Sequence, residues 1–209
     1  MVTFKPNHFS KYVAYHSTVY FKDMDGYAWA GEGILGLASR EIIDGRSEGY
    51  YVPEGQVTRA EFVKLLVQLF DLEDMTATAA FSDVVQDSWY YSSIASAQKS
   101  GLVQGKDNGT FGVNDEISRE DMAVLIFRVS KLLGIANGIP LSTYNITTRF
   151  QDLDIVSVYA RDAVSALQQS GLMNGTKEGY FAPKNPSTRA QAATVLYRLF
   201  QSINDSTSD

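Results

Sequence analysis

One tetrapeptide is written three times in this chain. Thr58-Arg59-Ala60-Glu61 recurs as Ser118-Arg119-Glu120-Asp121 and as Thr188-Arg189-Ala190-Gln191. Each copy opens a strongly apolar stretch. Each arginine lies 14 residues after a glycine (Gly45, Gly105, Gly175), with an aromatic and then Pro or Val between them (Tyr51/Pro53, Phe111/Val113, Phe181/Pro183). A register held this closely means an array of like units. One arginine kept in all three copies suggests a multivalent binder rather than a single catalytic pocket.

The rest of the unit follows from the letters. Phe-x-Asp begins each one: Phe21-Lys22-Asp23, Phe81-Ser82-Asp83 and Phe150-Gln151-Asp152. An aromatic comes next, at Trp29, Trp89 and Tyr159. A helical pattern then runs to a turn, Ser100-Gly101-Leu102 in the second unit and Ser170-Gly171-Leu172 in the third. Glycine after the last periodic residue stops a helix, because it accepts a left-handed backbone at little cost. The first unit has Glu41 there instead. After a polar loop, a second helix carries Phe62, Leu65, Leu66, Leu69 and Phe70; Met122, Leu125, Ile126 and Val129; or Ala192, Val195, Leu196, Leu199 and Phe200. That is the apolar stripe of a core-facing helix. The expected fold class is mainly α, with three helix-loop-helix units that must pack together to bury those stripes. Residues 1–20 stand outside the repeat; Tyr12-Val13-Ala14-Tyr15 and Thr18-Val19-Tyr20 look strand-like. They read as a leader or the end of an upstream domain, and the chain as a piece of a longer protein. Residues 135–149 read as a flexible or surface-draped connection, and residues 202–209 as a disordered polar tail.

Composition narrows the function. The net charge of −6 argues against a nucleic-acid partner and against attraction to anionic membranes. Any anionic ligand must be caught by local donors. Cysteine is absent, so no disulfide or thiol chemistry is available. No apolar run approaches the ~18 residues of a membrane span, and no signal peptide is visible.

Thr-x-x-Glu before an apolar helix is a capping box, with Thr58 as cap and Glu61 reaching back. Ser118 with Asp121, and Thr188 with Gln191, are variants of it. The arginine is not needed by the cap. In the first turn of a helix the dipole disfavours a cation. Two gains would offset that cost. The arginine pairs with an acid of a neighbouring repeat, such as Asp23, Asp83 or Asp152, or it clamps an external anion, helped by free backbone N–H groups at the helix start.

The whole unit resembles the S-layer homology domain, over residues 21–72, 81–134 and 150–201. That resemblance implies three domains folded into one pseudo-threefold unit with grooves between neighbours. It implies an extracellular bacterial module that anchors exported proteins to the cell wall, or to the S-layer, without a covalent bond and without a cofactor. The implied partner is a secondary cell-wall polysaccharide carrying pyruvate ketals, bound by a module that is monomeric in isolation. By resemblance, Arg59, Arg119 and Arg189 meet the ketal carboxylate, Asp23, Asp83 and Asp152 accept sugar hydroxyls, and Trp29 and Trp89 offer the sugar an apolar face. Gly101 and Gly171 bring backbone N–H groups near the ligand. Glu41 makes one groove the least suited to an anion, because a carboxylate repels it.

Each residue also has a structural reading. Trp29, Trp89 and Tyr159 could be core anchors. The Phe-x-Asp acids could cap the first helices, Gly101 and Gly171 end them, and Phe21, Phe81 and Phe150 belong to the core. No arrangement for nucleophilic catalysis, metal binding or phosphate binding is present, so no enzyme activity is expected. Asp23-Met24-Asp25-Gly26 looks like part of a calcium loop, but Ile34 stands where its last acid belongs. The other reading is a protein–protein scaffold of the cell surface. An arginine used only for ligand predicts that Arg→Ala leaves folding intact.

Overall fold

The computed structural model describes residues 19–134, 150–176 and 178–206. Of residues 1–20, read as strand-like, 1–18 lie outside the described residues, as does the connection at 135–149, and Val19 and Tyr20 carry no regular structure. Among the described residues the regular structure is helical. It comprises α1 (Ala28–Ala38), α2 (Arg59–Leu69), α3 (Tyr91–Lys99), α4 (Arg119–Leu132), α5 (Arg161–Gln169) and α6 (Arg189–Ser206). Two 3₁₀ turns, Leu153–Ile155 and Val158–Ala160, lead into α5. Since α6 continues to Ser206, the tail expected to be disordered from 202 is helical over its first residues.

The two helices of one repeat are not each other's main partners. α3 packs on α2, α5 on α4, and α1 on α6. Each first helix therefore lies against the second helix of the preceding repeat, and α1 closes the ring on the last repeat. The second helices α2, α4 and α6 meet one another at the centre. Swapped pairing of this kind makes the three repeats one cooperative body, because no unit buries its apolar stripe alone.

A ring of backbone hydrogen bonds marks the pseudo-threefold axis. Val57 N–H donates to Ser187 O at 3.1 Å, Ser187 N–H to Ile117 O at 2.8 Å, and Ile117 N–H to Val57 O at 2.9 Å. Immediately after this ring each second helix begins. Thr58, Ser118 and Thr188 cap them through their hydroxyls, at 3.2, 3.1 and 3.2 Å from the third helical N–H. Glu61 and Gln191 complete the box by accepting from the cap N–H, at 2.8 and 3.2 Å. Asp121 does not reach back; its carboxylate is engaged elsewhere, as described below.

The first helices are less well made locally, and none has a side-chain cap. The reading of Asp23, Asp83 and Asp152 as caps is therefore corrected. α1 carries three glycines, poor helix formers, and two of them explain its stability. A Cβ at Gly33 would stand 3.1 Å from the Ala193 carbonyl oxygen and from Thr194 Cα, and one at Gly36 would stand 2.4 Å from the Tyr197 ring. Tertiary contact with α6 selects both glycines and holds the helix. Phe21 and Phe150 are buried as expected, while Phe81 is half-buried.

Candidate functional site

The loop between the two helices is held by the residues that made the repeat legible. Both oxygens of Asp23 accept backbone N–H groups, from Tyr51 at 2.9 Å and Val52 at 2.7 Å. Asp83 takes those of Phe111, Gly112 and Val113 at 2.6, 2.7 and 3.1 Å. Asp152 takes those of Phe181 and Ala182, both at 2.7 Å. Burial alone would raise the Asp23 and Asp83 carboxyls; the N–H donors outweigh it and hold both below the usual aspartate range. Gly45, Gly105 and Gly175 lie under the same loop. A Cβ there would come within 2.7 to 2.9 Å of the carbonyl oxygen of Tyr50 or Thr110, and within 2.6 Å of that of Tyr180. This close approach explains the glycine that precedes each arginine.

The arginines reach across to the next repeat. Arg59 Nε donates to Phe111 O at 3.1 Å, Arg119 Nε to Phe181 O at 2.7 Å, and Arg189 Nε to Tyr51 O at 2.9 Å. Each guanidinium covers the ring of that same aromatic, 5.0, 5.0 and 4.4 Å from its centroid. The aromatic peptide is thus gripped at its N–H by the aspartate of its own repeat and at its C=O by the arginine of the preceding one. The first sequence alternative, pairing with an acid of a neighbouring repeat, holds at Arg59, which bonds Asp121 of the next repeat, while no direct ion pair joins these arginines to Asp23, Asp83 or Asp152 among the described residues. The backbone N–H groups at the helix start are also taken. Those of Arg59 and Ala60 go to Asp115 O and Val113 O, those of Arg119 and Glu120 to Asn185 O and Pro183 O, and those of Arg189 and Ala190 to Gly55 O and Pro53 O. The side chain leaves its own helix, so the unfavourable dipole at that position matters little. The expectation that Arg→Ala leaves folding intact is corrected, because the guanidinium is a structural tie as well.

A groove opens beside the Arg119 tie and another beside the Arg189 tie, each assembled from three repeats. One repeat gives its loop and second helix, the preceding repeat its arginine, and the following repeat its aromatic. Arg119 and Trp29 share a groove of about 630 Å³ along α6. Arg189 and Trp89 share one of about 320 Å³ along α2. Trp29 and Trp89 are each 55% exposed and Tyr159 60%, so they are not core anchors. The Lys64 ammonium lies 5.5 Å from the Trp89 ring.

The three positions differ in charge. Arg59 Nη1 is paired with Asp121 at 3.2 Å. Tyr159 donates to the same Asp121 at 2.8 Å and to Glu120 at 3.2 Å. Burial, then the bond to Asp121, pushes the Tyr159 hydroxyl well above the usual tyrosine range. Glu120 is itself buried and held by Ser157 N–H at 3.0 Å and Lys184 Nζ at 2.5 Å. The Arg189 groove is lined by Glu41, Asp44 and Glu61 together with Lys64. Among the described residues the Arg119 groove has no acidic residue on its wall; Asn174, Thr176, Asn185, Gln191 and Arg198 line it. Arg119 is only 9% exposed and has no ion pair among the described residues. Its remaining bond is Nη2 to Asn174 O at 3.0 Å.

Gly101 and Gly171 adopt φ of +74° and +71° as left-handed helix stops, and Glu41 adopts the same conformation at +59°. Gly171 is not on the wall of the Arg119 groove, where Leu172 to Thr176 stand instead, whereas Glu41 does line the Arg189 groove. Sequence reasoning missed Arg198, whose Nη1 donates to Leu172 O at 3.3 Å, and its counterpart Arg128, which donates to Leu102 O at 3.2 Å. Their equal spacing from Arg189 and Arg119 was a usable signal.

Comparison with known proteins fits this architecture. The family model of the S-layer homology domain matches residues 20–63, 80–123 and 149–193. An amylopullulanase of Thermoanaerobacterium thermosulfurigenes is 36% identical over 96% of this chain and 10% of its own length. The exoglucanase XynX of Acetivibrio thermocellus is 34% identical over 85% of this chain and 16% of its own length. An S-layer protein of Bacillus thuringiensis subsp. finitimus is 31% identical over 84% of this chain and 21% of its own length. The chain thus spans from a tenth to about a fifth of these relatives. With three matched repeats and the motif residues tying them into one ring, the chain belongs to the S-layer homology domain family, the extracellular modules through which bacterial surface proteins associate with the cell wall or S-layer.

Proposed function

We propose that this module anchors an exported protein by binding a pyruvylated secondary cell-wall polysaccharide in its inter-repeat grooves, with a motif arginine meeting the ketal carboxylate. The observation that supports this is the pairing of a guanidinium with an exposed indole on one wall: Arg119 with Trp29, and Arg189 with Trp89. An indole face suits the apolar face of a pyranose, and a guanidinium fork suits a carboxylate. Asp23, Asp83 and Asp152 contribute through the loops they hold, since their oxygens already take backbone N–H groups. That the relatives carry this module as a minor part of their length fits a portable anchor. Engagement of more than one groove on a fixed wall would add avidity, because the second contact is effectively intramolecular.

The test is binding to purified wall polysaccharide before and after chemical removal of the ketal. Binding should be lost with the ketal, and Trp29→Ala and Trp89→Ala should weaken it without loss of folding. Equal binding to ketal-free polysaccharide would sink the carboxylate part of this reading.

A further inference from the structure

We propose that Asn174 is a site of spontaneous deamidation, through which the wall of the Arg119 groove acquires a carboxylate as the protein ages. Each repeat places one residue directly before the glycine that lies under its loop: Asp44 before Gly45, Gln104 before Gly105 and Asn174 before Gly175. The fold dictates that glycine. A Cβ at Gly175 would stand 2.6 Å from both the Tyr180 carbonyl oxygen and the Phe150 ring. Asn174 is therefore followed by the one residue that has no Cβ to hinder attack on its side chain by the next peptide nitrogen. In that step the Gly175 nitrogen gives its proton to hydroxide and bonds to Asn174 Cγ. The bond from Cγ to Nδ2 breaks, and ammonia leaves with a proton taken from water. Water then opens the five-membered imide at one carbonyl or the other. The products are aspartate, with the backbone unchanged, and isoaspartate, whose backbone is one methylene longer. Water is the only co-reactant.

The surroundings of Asn174 favour each part of this step. Its side chain is exposed, and among the described residues neither its amide nor the Gly175 N–H has a hydrogen-bond partner. Arg119 Nη2 donates to the Asn174 carbonyl at 3.0 Å, and that carbonyl belongs to the same peptide as the Gly175 nitrogen. A guanidinium on this oxygen stabilises the anion that forms when the nitrogen loses its proton. Arg119 is fixed there by its other bond, from Nε to Phe181 O. Asn108 is an internal control, because it is followed by the same Gly-Thr as Asn174. Its Oδ1 accepts the N–H and the hydroxyl of Thr110, at 3.2 and 2.7 Å, and the Gly109 N–H donates to Lys106 O at 2.9 Å. Both reacting groups are engaged at Asn108 and free at Asn174. Asp44, the counterpart in the first repeat, already puts a carboxylate on the wall of the Arg189 groove, with Arg189 Nη2 on its carbonyl at 2.6 Å. The loop therefore accepts an acid at this place. The modification is independent of what the groove binds.

Incubation of the whole folded chain in warm, mildly alkaline buffer, followed by peptide mass mapping, tests this. The peptide carrying Asn174 should gain the mass of NH exchanged for O about tenfold faster than the one carrying Asn108, the factor that a charge-assisted hydrogen bond contributes to a barrier. In guanidinium chloride, where the chain is unfolded, the two sites should react at similar rates. Aspartate and isoaspartate should both appear in place of Asn174, as the cyclic imide requires. Reaction at Asn108 as fast as at Asn174 in the folded chain, or a ratio that unfolding leaves unchanged, overturns the proposal. Aspartate without isoaspartate would mean direct hydrolysis and overturns the step through the Gly175 nitrogen.

Discussion

Tyr51 and Arg189 hold each other from opposite ends of the chain. Arg189 Nε donates to the Tyr51 carbonyl at 2.9 Å, and the Tyr51 hydroxyl donates to the Arg189 carbonyl at 3.1 Å, with the guanidinium 4.4 Å from the ring centroid. Burial pushes the Tyr51 hydroxyl up to about 12, so it stays a donor across the ordinary pH range. This reciprocal tie joins the first repeat to the last, beside the α1–α6 contact that closes the ring.

Arg189→Ala should therefore destabilise the fold rather than leave it intact. It removes charge-assisted bonds to the carbonyls of Tyr51 and Asp44 and a cation–π contact. At about 1.5–3 kcal/mol for a hydrogen bond to a charged group, less what water recovers, the loss is about 3 kcal/mol. For a chain of this size that lowers the melting temperature by roughly 6–12 °C. Trp29→Ala, at an exposed position, should change stability by no more than about 0.5 kcal/mol. Thermal melts of both variants check this, and equal melting temperatures would refute the structural tie.

The glycines of α1 separate packing from propensity. Gly36→Ala should destabilise by about 1–3 kcal/mol, because the new Cβ would stand 2.4 Å from the Tyr197 ring. That ring has little room to retreat, with Arg40 over it at 6.0 Å and Phe200 stacked beside it. Gly31→Ala meets nothing within 4 Å and should stabilise by up to about 1 kcal/mol through helix propensity alone. Denaturant midpoints of the two variants should move in opposite directions.

What the sequence revealed was whatever local rules impose. The caps Thr58, Ser118 and Thr188, the apolar stripes of α2, α4 and α6 and the stops at Gly101 and Gly171 depend on neighbours within a turn or two, so their letters betray them. Partner choice does not. Nothing in the letters says that α3 lies on α2 or that α1 closes on α6, because every second helix carries a like stripe. Asp23 looked like a cap because an acid near a helix start usually is one; its partners are the N–H groups of Tyr51 and Val52, a loop away. Trp29 at a helix start reads the same whether it faces the core or a groove. The inequality of the three repeats was visible only as departures from the motif. Their meaning needed the geometry that sets Asp121 on Arg59 and leaves Gln191 near Arg119.

The pseudo-threefold axis holds one avoidable cost. Val57 and Ile117 fill two of its three places, and Ser187 fills the third, fully buried with a hydroxyl that has no hydrogen-bond partner among the described residues. A buried polar group left unpaired costs about 1–3 kcal/mol. Ser187→Val keeps the backbone bonds of the ring, to Ile117 O and from Val57 N–H. It should raise stability by about 1 kcal/mol or more, read as a higher denaturant midpoint with unchanged slope. A lower midpoint would show that the site has no room for the second methyl group.

Acid should loosen the loops before it unfolds the helices. Burial would raise the carboxyls of Asp23, Asp83 and Glu120, but their donors outweigh it: backbone N–H groups for the aspartates, and Lys184 and Ser157 for Glu120. All three are held below their unfolded values. Their contribution is therefore complete above about pH 5 and is lost as pH falls through 4 and below, where the unfolded chain binds more protons. Unfolding free energy measured from pH 6.5 down to 3 should fall steadily below about 5. Asp83→Asn should be less stable than the parent at pH 6.5, and the gap should narrow as the medium is acidified, because the parent's carboxylate is being neutralised too. A gap that stays constant down to pH 3 would mean that the charge on Asp83 contributes nothing to holding the N–H groups of Phe111, Gly112 and Val113.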